Sequence, residues 1–112
     1  MSYDYFLFAR PTDGTLLQLE TLGKNMSPIG SPEEVMARIS AEFPAVRWEP
    51  PRANIHAWFG VQGPPEFIVT TEADGNVASI KAAYIERHEV DRLIAAMRLV
   101  AFDPQTGELS GQ

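Results

Sequence analysis

The sequence predicts an α+β domain, a mainly antiparallel sheet with two helices packed on one face, and three observations predict it. Two segments carry apolar residues at helical spacing, the first with an explicit start signal, and several shorter runs alternate like strands. These elements fall in the order strand, helix, several strands, helix, strand. An Asp74-Gly75 pair sits between two strand-like runs, the composition of a tight hairpin turn. The chain's 112 residues suit a single domain spanning 1–112, which buries about two-thirds of its unfolded surface. No internal repeat or linker divides it.

"SYDYFLFAR" alternates and is rich in aromatics, so residues from Tyr3 to Ala9 read as a strand that Pro11 and Asp13-Gly14 end. The leucines at 16, 17, 19 and 22 fit neither period, and residues 15–30 read as irregular or as one short strand. "SPEEVMARISAEFP" announces a helix, with Ser31 as N-cap, Pro32 at the first helical position and Glu34 completing a capping box. Val35, Met36, Ile39 and Phe43 form its apolar face, and Pro44 closes it. "VRW" is a short strand candidate, and the prolines of "EPPRAN" make that stretch a loop.

Ile55 to Val61 reads as a strand broken by "GPP". With Asp74 and Gly75 as a two-residue loop, Thr71 pairs with Ala78, Val69 with Ile80 and Phe67 with Ala82 on an apolar, core-facing side. Glu66, Ile68, Thr70, Glu72, Val77, Ser79 and Lys81 take the other face, which meets water or a partner. "ERHEVDRLIAAMRLV" is an amphipathic helix with Val90, Leu93, Ile94 and Met97 inward, acids near its start and Arg92 and Arg98 near its end, as its dipole prefers. Val100 to Phe102 returns the chain to the sheet, and "DPQTG" supplies a turn at its edge. That order allows a ferredoxin-like arrangement with an extra strand.

Composition bounds the function. With 45% apolar and 21% charged residues the chain has the balance of a folding domain. Zero cysteines exclude disulfides, thiolate catalysis and cysteine-ligated zinc. The first residues carry Asp4 and no basic run, unlike a signal peptide, and no apolar run approaches the ~20 residues of a membrane helix, so a cytoplasmic protein is expected. A net charge of -6 opposes nucleic-acid binding and favours a basic partner. Between Ala53 and Ile80 there is no lysine or arginine, and after Arg98 only Asp103 and Glu108 are charged, so the two stretches are expected to share an acidic surface.

Motifs for chemistry are absent. His88-Glu89 opens like a zinc-protease helix, but Arg92 stands where the second histidine belongs. Gly23-Lys24 lacks the glycine five residues earlier and the following Ser/Thr of a phosphate loop, while Asp74, Asn76 and Asp103 lack calcium-loop spacing. No catalytic residue, metal site or cofactor is therefore expected. If Ile55, Ala57, Phe59 and Val61 face the core, His56 and Trp58 share the outer face with Glu66, Thr70 and Glu72, and Trp58 becomes an aromatic anchor in an acidic surround. The competing reading packs Trp58 beneath the strands, since tryptophan is usually largely buried.

"YDYFLF", "GSPEEVMARISAEFPAVRW", "WFG" and "AFDPQTGEL" together resemble a group of small bacterial proteins, some of them similar to immunity proteins encoded beside secreted polymorphic toxins, including type VI effectors. The resemblance implies a non-enzymatic cytoplasmic inhibitor that binds a cognate toxin, with the acidic charge suiting a basic, nuclease-like one. It transfers no functional residue by position. The expected partner-binding set is therefore read from the residues: Trp58, Glu66, Glu72 and Asp74, joined by Asp103 and Glu108 if the final turn lies beside the hairpin. Monomer and homodimer both remain open, as does a second reading, a small dimeric enzyme or ligand-binding protein with a pocket near His56.

Overall fold

The computed structural model describes residues 3–24, 26–51, 56–61 and 63–112. Seven strands make one antiparallel sheet: β1 (Tyr3–Ala9), β2 (Arg47–Glu49), β3 (Ala57–Val61), β4 (Glu66–Thr71), β5 (Val77–Ile85), β6 (Leu99–Asp103) and β7 (Glu108–Ser110). Their spatial order is β2-β3-β4-β5-β1-β6-β7. Helices α1 (Pro32–Glu42) and α2 (Arg87–Met97) pack on one face, so the α+β class with both helices on one side holds. β1 lies between β5 and β6, the strands that α2 connects, which is the split β-α-β unit of ferredoxin-like sheets. A β2–β5 meander extends the sheet on one side and β7 on the other.

Local chemistry accounts for the elements. The Ser31 hydroxyl accepts the Glu34 N–H at 3.2 Å, and the Glu34 carboxylate turns back to that hydroxyl, so Ser31 starts α1 as its position predicts. At the start of α2 the Glu86 N–H donates to the Glu89 carboxylate at 3.0 Å, a cap between acids that the amphipathic pattern does not announce. The helices are tied to each other by arginines. Arg38 donates to the Ala96 carbonyl, and Arg92 donates to the Glu42 carbonyl and lies 5.0 Å over the Phe43 ring. Residues 19–21 form a single 3-10 turn within the irregular segment before α1.

The hairpin register agrees with the sequence over most of its length: Phe67 faces Ala82, Val69 faces Ile80 and Thr70 faces Ser79. The turn differs. Glu72 donates to the Asn76 carbonyl and Gly75 (φ +84°) donates to the Glu72 carbonyl, so the loop has three residues, Ala73 to Gly75. Thr71 consequently pairs with Val77, and Ala78 is an extra residue, a bulge that restores the predicted pairing below it. The bulge also moves Val77 from its expected outer face into the core, where it is fully buried and pairs with Gly30. Ile55, the expected start of β3, lies outside the described residues. So do residues 52–54 of the expected loop. The "DPQTG" turn does not end the sheet but leads into β7, closed by Gly107 (φ +76°) donating to the Asp103 carbonyl at 2.8 Å.

The core lies between helices and sheet. Val35, Ile39 and Phe43 of the α1 segment and Val90, Leu93 and Ile94 of α2 meet Tyr5, Leu7, Phe67, Val69, Ile80, Ala82, Leu99 and Ala101. These strand residues alternate with others that must point to the opposite, helix-free face.

Candidate functional site

Following the pairing from strand to strand shows what that helix-free face carries. Glu49 pairs with Phe59, Phe59 with Ile68, Ile68 with Lys81, Lys81 with Phe6, Phe6 with Phe102 and Phe102 with Leu109. One residue from each of the seven strands thus forms a row across the whole sheet, with Lys81 at its middle. Alternation places this row away from the helices, because Leu7 and Ala101, next to Phe6 and Phe102, are fully buried on the helix side. The row's apolar side chains are half-buried, shielded by one another rather than by a second layer. The Lys81 ammonium stands 5.9 Å from the centre of the Phe6 ring.

One end of the face is covered. Phe8 belongs to it but is only 7% exposed, and Val100, its partner, is fully buried. Phe8, Ala78, Ser79 and Glu72 line an open cleft of about 260 Å³ with Gly23 and Met26 of the segment between β1 and α1. Glu72 is the one titratable side chain among the described residues lining that cleft. The segment is held at Leu17, whose backbone N–H and carbonyl both bond to the Gln112 side chain. The opposite end is open. There Tyr84, in the left-handed region at φ +55°, is 58% exposed, and its N–H donates to Asp4.

The expected partner-binding residues do not assemble into one surface. Trp58 pairs with Val69 and packs against the core, so it lies on the helix side and not beside Glu66. The reason is parity: Ala57 faces Thr70 and Phe59 faces Ile68, so Phe59 takes the outer position. The acids divide between the two ends of the sheet. β5 and β6 both run antiparallel to β1 and therefore parallel to each other; Asp74 precedes the first and Asp103 ends the second. Glu72 and Asp74 lie at one end, and Glu66, Asp103 and Glu108 at the other, about 20 Å away at strand rise. Asp74 and Asp103 each accept a backbone N–H within their own turn, from Asn76 and Gln105. Of the set, Glu66 stands on the open face, exposed and paired with Ala83.

His56 and His88 are both exposed and also lie at opposite ends, one entering β3 beside the end of β4, the other in the first turn of α2 after β5. The His56 carbonyl accepts both the N–H and the hydroxyl of Thr71. Among the described residues no group of three or more His, Asp or Glu side chains is placed to hold a metal ion, and no helix is long and apolar enough to cross a membrane.

The apolar row had a signal in the sequence. "YDYFLF" places large side chains on both parities of β1, Tyr5 and Leu7 on one and Phe6 and Phe8 on the other, so one set had to lie outside a single core. What this face does is carried by its own chemistry, since the chain matches no protein-family model, no curated protein and no solved structure.

Proposed function

We propose that this protein binds and blocks another protein, as an immunity protein acting in the bacterial cytoplasm on a cognate toxin domain, and that it does so with the open face of its sheet. The observation that carries the reading is the row Phe59, Ile68, Lys81, Phe6, Phe102 and Leu109, an apolar stripe without a second layer. Its side chains are half-buried, and a contiguous apolar patch larger than a few hundred Å² that stays open to water marks a surface that meets a partner. Six interstrand spacings by five residues give a footprint of about 500 Å², and with its rims the face approaches the ~800 Å² that each side of a standard interface buries. A rigid sheet loses little conformational freedom on binding, which favours tight inhibition. The net charge of -6 favours a basic partner, and the resemblance of the four sequence segments to toxin-immunity proteins agrees with an inhibitor.

The test is a mixing experiment with the product of the adjacent gene, read by size-exclusion chromatography and by rescue of cells expressing that product. A one-to-one complex is expected, together with rescue. Ile68→Ser combined with Phe102→Ser should weaken the complex by about a hundredfold or more, as loss of two interface anchors would, while circular dichroism stays native. Unchanged binding by the folded double variant removes the sheet face from the interface, and a chain that only pairs with itself removes the inhibitor reading.

A further inference from the structure

The row is apolar except at its centre, and that exception identifies the chemistry of what covers it. Lys81 is the middle strand's contribution, flanked by Ile68 on one side and Phe6 on the other. Glu66 sits diagonally from it across the β4–β5 pair, yet no ion pair joins them, and among the described residues Lys81 has no carboxylate partner. Its ammonium rests near the Phe6 ring, and the residue as a whole is half-buried.

A partner lying on this face strips that water. Burying an ammonium without a counter-charge costs several kcal/mol, more than one apolar neighbour returns, so a surface that fits here must bring an anion to the middle of its own apolar patch. A nucleic-acid phosphate does not suit the surroundings, because Glu49 ends the same row, Asp4 and Glu66 flank it, and the chain's net charge is -6.

We infer that Lys81 is the seat for a carboxylate side chain of the protein partner, an Asp or Glu ringed by apolar residues. The inference rests on the reading of the open face as the binding surface. The seat supplies selectivity more than affinity: the ion pair roughly offsets its own desolvation, whereas a neutral or basic residue at that point leaves a buried, unpaired charge. It works within a protein whose overall charge attracts a basic partner, so a partner basic at its rim and acidic at one central point is the one that fits.

The experiment pans a displayed library of random dodecapeptides against the wild-type chain and against Lys81→Glu. Wild-type binders are expected to carry an Asp or Glu between apolar residues, and Lys81→Glu binders a Lys or Arg at the same place. The affinity of a synthetic wild-type binder should fall about tenfold or more on Lys81→Met and stay within about threefold on Lys81→Arg. Binders that lose affinity with Phe6→Ser and Phe102→Ser but carry no acid and ignore Lys81→Met overturn the seat and leave the face standing. Binders indifferent to Phe6→Ser and Phe102→Ser, or none enriched over those variants, overturn both readings. A wild-type chain that selects no acid, with Lys81→Met dimerising in sedimentation, would instead make Lys81 a guard against self-pairing and overturn the seat.

Discussion

At Gly60 a side chain is missing because Trp48 occupies its place. A β-carbon there would lie 2.7 Å from the indole ring and 2.9 Å from a Val46 methyl, both on the core side of β3. With no β-carbon, the indole lies across the strand and donates its N–H to Ser40 of α1 at 2.9 Å, which ties the edge strand β2 to the helix layer. Gly60→Ala should therefore destabilise the domain by about 1–3 kcal/mol through overpacking, visible as a lower Tm with an unchanged native spectrum. Arg98 gives the opposite case. It ends α2 at φ +54°, ψ +58° with an exposed side chain, a conformation that costs a non-glycine residue about 1 kcal/mol. Arg98→Gly should raise the midpoint of chemical unfolding, by about 0.5–1 kcal/mol in stability. Neither position is legible from the chain alone: a glycine in a strand and an arginine after a helix are both ordinary, and only the packed neighbour or the backbone angle gives them meaning. Trp58 illustrates the same limit, since a one-residue choice of parity decides whether an indole is core or surface.

Elements whose signals are local were legible. Ser31-Pro32 and Glu34 start α1 through bonds between residues three apart, and the Asp74-Gly75 pair places the β4–β5 turn. Gly75→Ala should cost about 1–2 kcal/mol because φ is +84° there and the space around it is open, so conformation and not collision sets the penalty. An equal loss from Gly75→Asn, which tolerates that region better, would contradict this account. The exact loop length was not legible. Two- and three-residue loops share Asp-Gly chemistry, and the bulge at Ala78 hides the difference from every residue below it. β7 has no sequence signal for a related reason. It is three residues long, and its strand character comes from pairing with β6 and not from any pattern of its own.

At the scale of the molecule, order and periodicity foretold a two-layer α+β domain, but the use of the uncovered layer depends on strand adjacency that no local pattern encodes. Lys81, Phe6 and Phe102 come from distant parts of the chain and stand side by side only because β1 enters between β5 and β6. The expected acidic surface failed for the same reason, as adjacency sent the Asp74 and Asp103 turns to opposite ends. The five acids of that surface therefore form no single patch. If the proposed partner is basic and binds the apolar row, a net charge of -6 should make association slow markedly as salt rises from about 0.05 to 0.5 M, while dissociation hardly changes. Stopped-flow association rates that ignore salt would argue against a steered encounter.

The insertion of β1 between β5 and β6 also fixes when the domain can come into being. On the ribosome β1 emerges before the other strands, yet Phe6 finds Lys81 only once α1 and the β2–β5 meander have been made, and Phe102 only after α2 as well. The meander can zip from its hairpins, but β1, which joins it to β6 and β7, pairs only across long loops that close before the contacts that reward them exist. Folding should consequently be slow for the domain's size, in the millisecond-to-second range of non-local sheets, and all-or-none. Until β5 is made β1 has no partner on either edge, and until β6 follows one edge of it stays bare, which is the nascent chain's period of greatest exposure to mispairing.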